Sequence, residues 1–277
     1  TPWGSDANLA HLLHHERLEV VRADLTADDS VHGMCDGVDA VVHAAARVAD
    51  WGPWDAFYRT NVVATRALLH EAAHARCGRF LFISSVAVHR YSGFRNADPR
   101  EQPRDNLRNA YAYSKILAED LVLGAERLES VVVRPGLWPF GERDSTFARV
   151  AKAVAKGILP VMRRGSTLLN TAYAPNFAHG VVLALHEPRA AGQVYVIADA
   201  GMPSWRELFD TIGELLGADG LRLRLPGRPT TALASGVEAT WSALLPLVEP
   251  PVTRYRARLM LNDVHFSLRH AEEELGY

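Results

Sequence analysis

A strand-like run, Arg79-Phe80-Leu81-Phe82-Ile83, ends in Ser84-Ser85, and a helix-like stretch then carries Tyr111-Ala112-Tyr113-Ser114-Lys115. Tyr111 and Lys115 are four residues apart, so on a helix they share one face about one turn apart. Tyr113 is two residues from Lys115 and falls on another face, so the spacing selects Tyr111. A phenol with a pKa near ~10 is a poor acid or base at neutral pH. A neighbouring ammonium favours the phenolate, and Lys115 is therefore expected to lower the pKa of Tyr111. A serine hydroxyl at the C-terminal end of a strand can bind the same substrate oxygen. That is equipment for moving a proton on or off a carbonyl or carbinol oxygen. The same pair is also commonplace on solvated helices, and spacing alone does not separate the two.

The surrounding pieces follow in a set order. Val20-Val21-Arg22-Ala23-Asp24-Leu25 reads as a strand ending in an acidic residue. Val38–Ala46 reads as a buried strand running into small residues. A helix-like segment from Trp54 to about Ala75 contains Asn61, and Ser130–Gly136 follows the Tyr/Lys helix as a further strand.

This series resembles the extended short-chain dehydrogenase/reductases over nearly the whole chain. In the C-terminal half, Asn170–Gly180, Gly192–Asp199 and Pro203-Ser204-Trp205 resemble the 3β-hydroxysteroid dehydrogenase/isomerase branch. Trp51-Gly52 and the ending Glu274–Tyr277 fit the same branch. Within it, the chain is most similar to bacterial ketoreductases of long-chain olefin synthesis, which act on 2-alkyl-3-keto acids. The resemblance implies an α/β fold, a doubly wound Rossmann-type parallel sheet with a smaller, interleaved C-terminal substrate lobe. Residues 1–134 would form the cofactor-binding domain and 135–277 the substrate lobe, with about 190–198 returning to the sheet.

The family's first strand and glycine-rich turn hold a cofactor pyrophosphate on backbone N–H groups. No GxxGxxG follows any strand here, and the chain opens at Thr1 without methionine. The expectation is an N-terminal extension, one β-α-β unit of on the order of 30 or more residues. In a doubly wound sheet that unit supplies the central strand. Without it, Ala40–Ala44 would present an unpaired apolar edge and the strand at Leu18–Ala23 would lose its neighbour.

The resemblance assigns roles residue by residue. Tyr111 is the general acid in reduction and base in oxidation. Lys115 hydrogen-bonds the nicotinamide ribose, and Ser85, the second serine of the Ser-Ser-x-x-Val pattern, is the catalytic serine. Asn61 organises the site, or simply bonds backbone within its helix. Asp24 and Leu25 match the adenine end of NAD or NADP, although Asp24 also suits a helix cap. Ala44, Ala45 and Ala46 match the turn where backbone approaches the dinucleotide. Pro135 and Leu137 match the nicotinamide-side loop. Trp51, Trp54, Trp138 and Tyr173 are candidate contacts to a bulky apolar substrate, with core packing an equal alternative.

The phosphate preference of the cofactor is not legible. Nucleotide-sugar epimerisation uses the same Tyr/Lys pair, whereas dehydratases place an acidic residue where Val86-Ala87 stand. A binding or regulatory module without a dinucleotide site is a further alternative, which retention of Ser85, Tyr111 and Lys115 opposes.

A net charge of −2 offers no basic field for nucleic acid. Cys35 and Cys77 lack metal-like spacing and indicate a reduced, cytoplasmic setting. His11, His14 and His15 read as a solvated cluster, not a metal site. Thr231–Val248 has the spacing of an amphipathic helix, which packs on its own domain, lines a greasy entrance, touches a membrane surface or forms a dimer face. A homodimer is the expected assembly.

Overall fold

The computed structural model describes residues 8–27, 30–105, 109–218, 224–225, 235–241, 250 and 253–277. In chain order the strands are β1 (Ala40–His43), β2 (Arg79–Ile83), β3 (Phe94–Ala97), β4 (Glu129–Pro135), β5 (Trp138–Phe140), β6 (Val161–Met162), β7 (Thr171–Tyr173), β8 (Val194–Ile197), β9 (Arg224–Leu225) and β10 (Val264–Phe266). The helices are α1 (Trp54–Phe57), α2 (Ala64–His74), α3 (Ala110–Leu123), α4 (Ser145–Ala155), α5 (Ala174–His186), α6 (Trp205–Leu215), α7 (235–241), α8 (Arg254–Leu261) and α9 (Arg269–Leu275).

The main sheet is parallel throughout, in the order β1-β2-β4-β8. Parallel strands need crossover helices, which cover both faces and leave the strands apolar on both sides. Alternation along β2 shows this directly. Phe80 and Phe82 point to the layer of α2 and α3, with Leu68, Leu69, Ala72, Ala118 and Val122. Leu81 points the other way, to Val181 and Ala184 of α5 and Ala271 and Leu275 of α9. This is the Rossmann-like α/β arrangement that the series of strands and helices implied.

Close approach fixes where α5 lies on the sheet. A Cβ on Gly180 would stand 2.6 Å from the Ile197 side chain, so only glycine lets the helix reach β8. Arg79, buried at the start of β2, donates to the carbonyls of Ala184, Leu185 and Glu187 at 3.2, 2.9 and 2.8 Å, satisfying the last acceptors of α5. A second apolar cluster, with Val154, Leu169, Trp205 and Phe209, lies under α4 and α6.

Two sequence expectations need correction. Residues 18–24 form no strand; the chain there is irregular, with Val20 and Val21 exposed. A β-branched run has strand propensity only when a neighbour accepts its backbone bonds, and among the described residues none does. The helix from Trp54 is not one uniform α-helix either. Between α1 and α2, Tyr58–Val63 is π-helical and carries Asn61. Most of the amphipathic segment Thr231–Val248 lies outside the described residues, with only 235–241 seen as helix. Among the described residues no helix is long and apolar enough to cross a membrane.

Candidate active site

The site forms where β2 ends against the first turns of α3. Ser84 N–H still donates to Val133 O at 2.8 Å, continuing the sheet ladder, and the chain then turns away. Ser85, extended at φ −158°, caps a 3-10 turn (Val86–Val88) by accepting from Ala87 N at 3.1 Å. Its hydroxyl neighbours the Tyr111 phenol, whose pKa it works to lower. Asn109 starts α3 by accepting from Ala112 N at 2.9 Å, which sets Tyr111 in the first helical turn.

Lys115, one turn further and on the same face, is 2% exposed. Its ammonium donates to Ile83 O at 2.7 Å and lies 4.0 Å from the centre of the Phe82 ring. Burial pulls its pKa down to about 7, with Glu119 one turn beyond pushing it back up. Tyr111 retains some accessible area but is surrounded by protein, and that desolvation pushes its phenol up to about 12. The Ser85 hydroxyl opposes the rise, and Asp50 adds to it. The expectation that Lys115 lowers the pKa of Tyr111 is therefore corrected. Desolvation exceeds every stabilising contact of the phenolate, and the ammonium is engaged by Ile83 O.

Asn61 is 1% exposed and reaches across the site. Its Oδ1 accepts from Arg47 N at 2.7 Å, while Nδ2 donates to Arg47 O at 3.1 Å and Ser114 Oγ at 2.8 Å. It pins the loop after β1 to α3. π-Turns of this kind recur at functional sites because they re-aim a side chain. Behind it, Thr65 Oγ1 donates to Asn61 O at 2.7 Å and contacts His43 Nε2 at 2.9 Å, so the imidazole proton sits on Nε2. Burial, then the nearby Lys115 charge, pulls His43 down to about 4 and keeps it neutral.

Of the residues assigned to the cofactor, Ala44–Ala46 and Pro135 lie at the C-terminal ends of β1 and β4, where ligands of such sheets bind, whereas Asp24 and Leu25 follow no strand. Ala44 and Ala45 are exposed and Ala46 half-buried just past β1. Pro135 ends β4, paired with Ile197 of β8. Leu137 packs between two apolar clusters. Asp24 is exposed and accepts from Thr26 N at 2.9 Å and Thr26 Oγ1 at 2.8 Å, so it caps a turn, and its carboxyl is held below the usual value by those bonds. Leu25 packs against the α2–α3 core.

The four candidate substrate contacts divide. Trp51 lines a cavity at the start of α3. Trp54 is 40% exposed and stacks on Tyr113, ring centres 5.2 Å apart. Trp138 packs edge-on against Trp205 at 5.0 Å inside the second apolar cluster. Tyr173 lies against Phe140 at 5.4 Å.

Several groups around the phenol had no clear sequence signal. Tyr91 and Tyr255 join hydroxyl to hydroxyl at 3.0 Å, close enough to Tyr111 for their charges to be felt. They are 164 residues apart in the chain, so no local pattern could pair them. Glu119, by contrast, was within reach of the spacing argument, being four residues beyond Lys115. It is fully buried, with Arg134 bonding it from Nε at 2.7 Å and Nη2 at 2.6 Å, and Arg104 at 2.9 Å. Burial alone would raise its pKa, but these guanidinium groups hold it below the ordinary value.

The donor set fits the nicotinamide end of a dinucleotide: a phenol, an ammonium and a hydroxyl converge beside small residues at strand ends. Residues 3–198 match the model of the NAD dependent epimerase/dehydratase family. The 2-alkyl-3-oxoalkanoate reductase of Stenotrophomonas maltophilia is 28% identical over 95% of this chain and 84% of its own length. The 3 beta-hydroxysteroid dehydrogenase/Delta 5-->4-isomerase of Mycobacterium tuberculosis is 30% identical over 95% of this chain and 75% of its own. Among solved structures, the dTDP-glucose 4,6-dehydratase DesIV of Streptomyces venezuelae, with NAD and TYD bound, superposes with a TM-score of 0.76. It is 23% identical and covers 99% of this chain and 78% of that one. The chain belongs to the NAD-dependent epimerase/dehydratase family, the extended short-chain dehydrogenase/reductases. Its members work with NAD(P), and this protein is an oxidoreductase-type enzyme of that family.

Proposed function

We propose that the protein reduces a ketone to a secondary alcohol on a bulky hydrophobic substrate, with Tyr111 as proton donor. The observation that carries this reading is the gathering of Ser85 past the C-terminal end of β2, Tyr111 in the first turn of α3 and, one turn on, the buried Lys115 ammonium bonded to Ile83 O at 2.7 Å. A phenol pushed up to about 12 carries its proton at neutral pH, the form needed at the start of a reduction. Bound NADH or NADPH would supply the hydride. Ser85 steadies the carbonyl oxygen while Tyr111 delivers the proton to it. The phenolate left behind is held by the Ser85 hydroxyl. Lys115, poised near neutrality, orients the nicotinamide ribose and can return a proton to Tyr111. Asn61 keeps the loop after β1 in register with α3.

In this reading residues 1–134 hold the cofactor and 135–277 the substrate, with about 190–198 returned to the sheet. Pro135 and Leu137 face the nicotinamide, Ala44–Ala46 the dinucleotide backbone, and Asp24 with Leu25 the adenosine. Trp51 is the aromatic best placed for substrate. A homodimer is the assembly we expect.

Tyr111→Phe should lower turnover of a hydrophobic ketone by about 10²- to 10⁴-fold with an unchanged melting temperature. Near-normal turnover would exclude Tyr111 as the donor. A panel of hydrophobic ketones, UDP-sugars and dTDP-sugars, each with NADH and NADPH, separates reduction from epimerisation; turnover confined to the sugars would replace this reading.

A further inference from the structure

A chain of buried polar groups joins α3, which carries Tyr111, to the turn that carries Ser85. Glu119 stands two turns beyond Tyr111 on α3 and is fully buried. Arg134, buried on β4, grips it with a two-pronged fork, Nε donating to one carboxylate oxygen at 2.7 Å and Nη2 to the other at 2.6 Å. The remaining amino group, Nη1, meets His89 Nε2 at 2.9 Å, and His89 Nδ1 meets Gln102 O at 3.1 Å. A guanidinium only donates and a carbonyl only accepts, so one tautomer satisfies both: Nδ1 carries the proton and Nε2 accepts from Arg134. Burial, then the Arg134 charge, pulls the imidazole down to about 3, which keeps it neutral and able to accept.

His89 is the residue that ends the serine turn. Ser85 opens the 3-10 turn Val86–Val88 by accepting from Ala87 N, and His89 N–H closes it on Val86 O at 3.1 Å. The imidazole lies against Phe266, ring centres 4.9 Å apart, and is fully buried. Where the chain enters the turn, Ser84 N–H on Val133 O and the Lys115 ammonium on Ile83 O hold it. Where it leaves, His89 is tied through Arg134 to Glu119. Buried ion pairs add little net stability over apolar packing of the same volume, but their hydrogen bonds have direction.

We propose that Arg134 and His89 are positioning residues for Ser85: through them, α3 sets where the serine hydroxyl stands relative to the phenol that the same helix carries. The inference rests on the ketone-reduction reading above and adds to it two buried residues that act through Ser85. Amide side chains separate the two contacts of the imidazole. His89→Gln places an acceptor near the position of Nε2 and gives up the Nδ1 donor, whereas His89→Asn keeps a donor near Nδ1 and loses the acceptor for Arg134. Arg134→Lys keeps a cation for Glu119 and loses the contact to His89.

Two measurements on the full chain test this. The first is steady-state reduction of a hydrophobic ketone with NADH or NADPH, by each variant alone and combined with Ser85→Ala. His89→Asn and Arg134→Lys should lower kcat by roughly ten- to hundredfold with KM within about twofold of native, and His89→Gln should recover most of the loss. Added to Ser85→Ala, His89→Asn should lower kcat by less than about twofold more. A purely structural role would act whether or not the serine hydroxyl is present. A full further loss on top of Ser85→Ala, or equal losses for His89→Asn and His89→Gln, would therefore overturn the proposal. The second measurement is native-state hydrogen exchange, which needs no turnover. His89→Asn and Arg134→Lys should speed exchange at the Ala87 and His89 amides by roughly tenfold or more, and leave the Ser84 amide, bonded to Val133 O, as in the native protein. Unaltered exchange at Ala87 and His89 would sink the link just as firmly. If the native protein reduces no ketone, the reductase reading fails, and exchange alone judges Arg134 and His89.

Discussion

The two margins of the main sheet are built differently. At the β8 margin, Tyr195 and Ile197 are fully buried beneath α5 and α9, and Tyr195 OH donates to Glu274 at 2.7 Å. At the β1 margin, Val42 is 44% exposed, and residues 18–24, earlier in the chain, have no regular structure. The chemistry we propose follows the same division. Ser85, Tyr111 and Lys115 sit over the packed middle of the sheet, held by Asn61 and the Glu119–Arg134 pair. Ala44 and Ala45 follow β1 at the exposed margin, and Asp24 is itself exposed. Proton transfer needs groups fixed within fractions of an ångström, whereas a nucleotide tail can be gripped by a rim that is itself open to solvent.

The largest effect that could break this contrast is at Glu119. Glu119→Ala leaves Arg134 buried without its carboxylate, while Arg104 keeps Asp120, and urea unfolding should show a loss of ~3–5 kcal/mol. A loss under ~1 kcal/mol would mean that the middle of the sheet is no more tightly held than its margin. Gly180→Ala comes next. The new methyl meets Ile197, and overpacking of this kind costs ~1–3 kcal/mol. An unchanged unfolding midpoint would show that α5 is not fixed against β8.

A pH series sharpens the contrast further. The ammonium of Lys115 is pulled down to about 7 in the folded protein, below its ordinary 10.5. Between those values the unfolded chain holds a proton that the folded one has lost, so stability should rise with pH through that interval. Below about 7 both states are protonated and the burial cost is fully present. Lys115→Met should flatten this rise between pH 7 and 9.5, read as thermal midpoints against the native protein; an identical pH profile would contradict the burial of the charge. The smallest effect belongs to the open margin, where Val42→Thr should change stability by no more than ~0.5 kcal/mol. A larger loss would reveal that β1 is covered in solution.

Much of the packed middle was legible in the sequence. Arg79–Ile83 is read as a strand and is one, because Phe80, Phe82 and Ile83 favour strands and its residues are covered on both faces of the sheet. The spacing of Tyr111 and Lys115 correctly put them on one face and Tyr113 on another, where it meets Trp54. Val20–Leu25 misled because propensity needs a partner strand to act on. The sign of the Tyr111 shift was also misjudged. Sequence spacing reports which charges are near, but not how far a group is removed from water, and here desolvation dominates. Tyr255 was invisible because only the folded chain brings α8 to the start of α3.

The widened turn at Tyr58–Val63 has a consequence for how this protein tolerates change. A π-helical turn accommodates one residue more than an α-helical turn, so the segments on either side are rotated out of phase by about 100°. Phe57, ahead of it, can therefore sit under Arg47, while Leu68 and Leu69, behind it, enter the core. Removing a single residue there would let the helix close up into ordinary geometry at little local cost. It would also swing Asn61 away from Arg47 and Ser114, so a shortening that improves the helix would unfasten the loop beside the phenol.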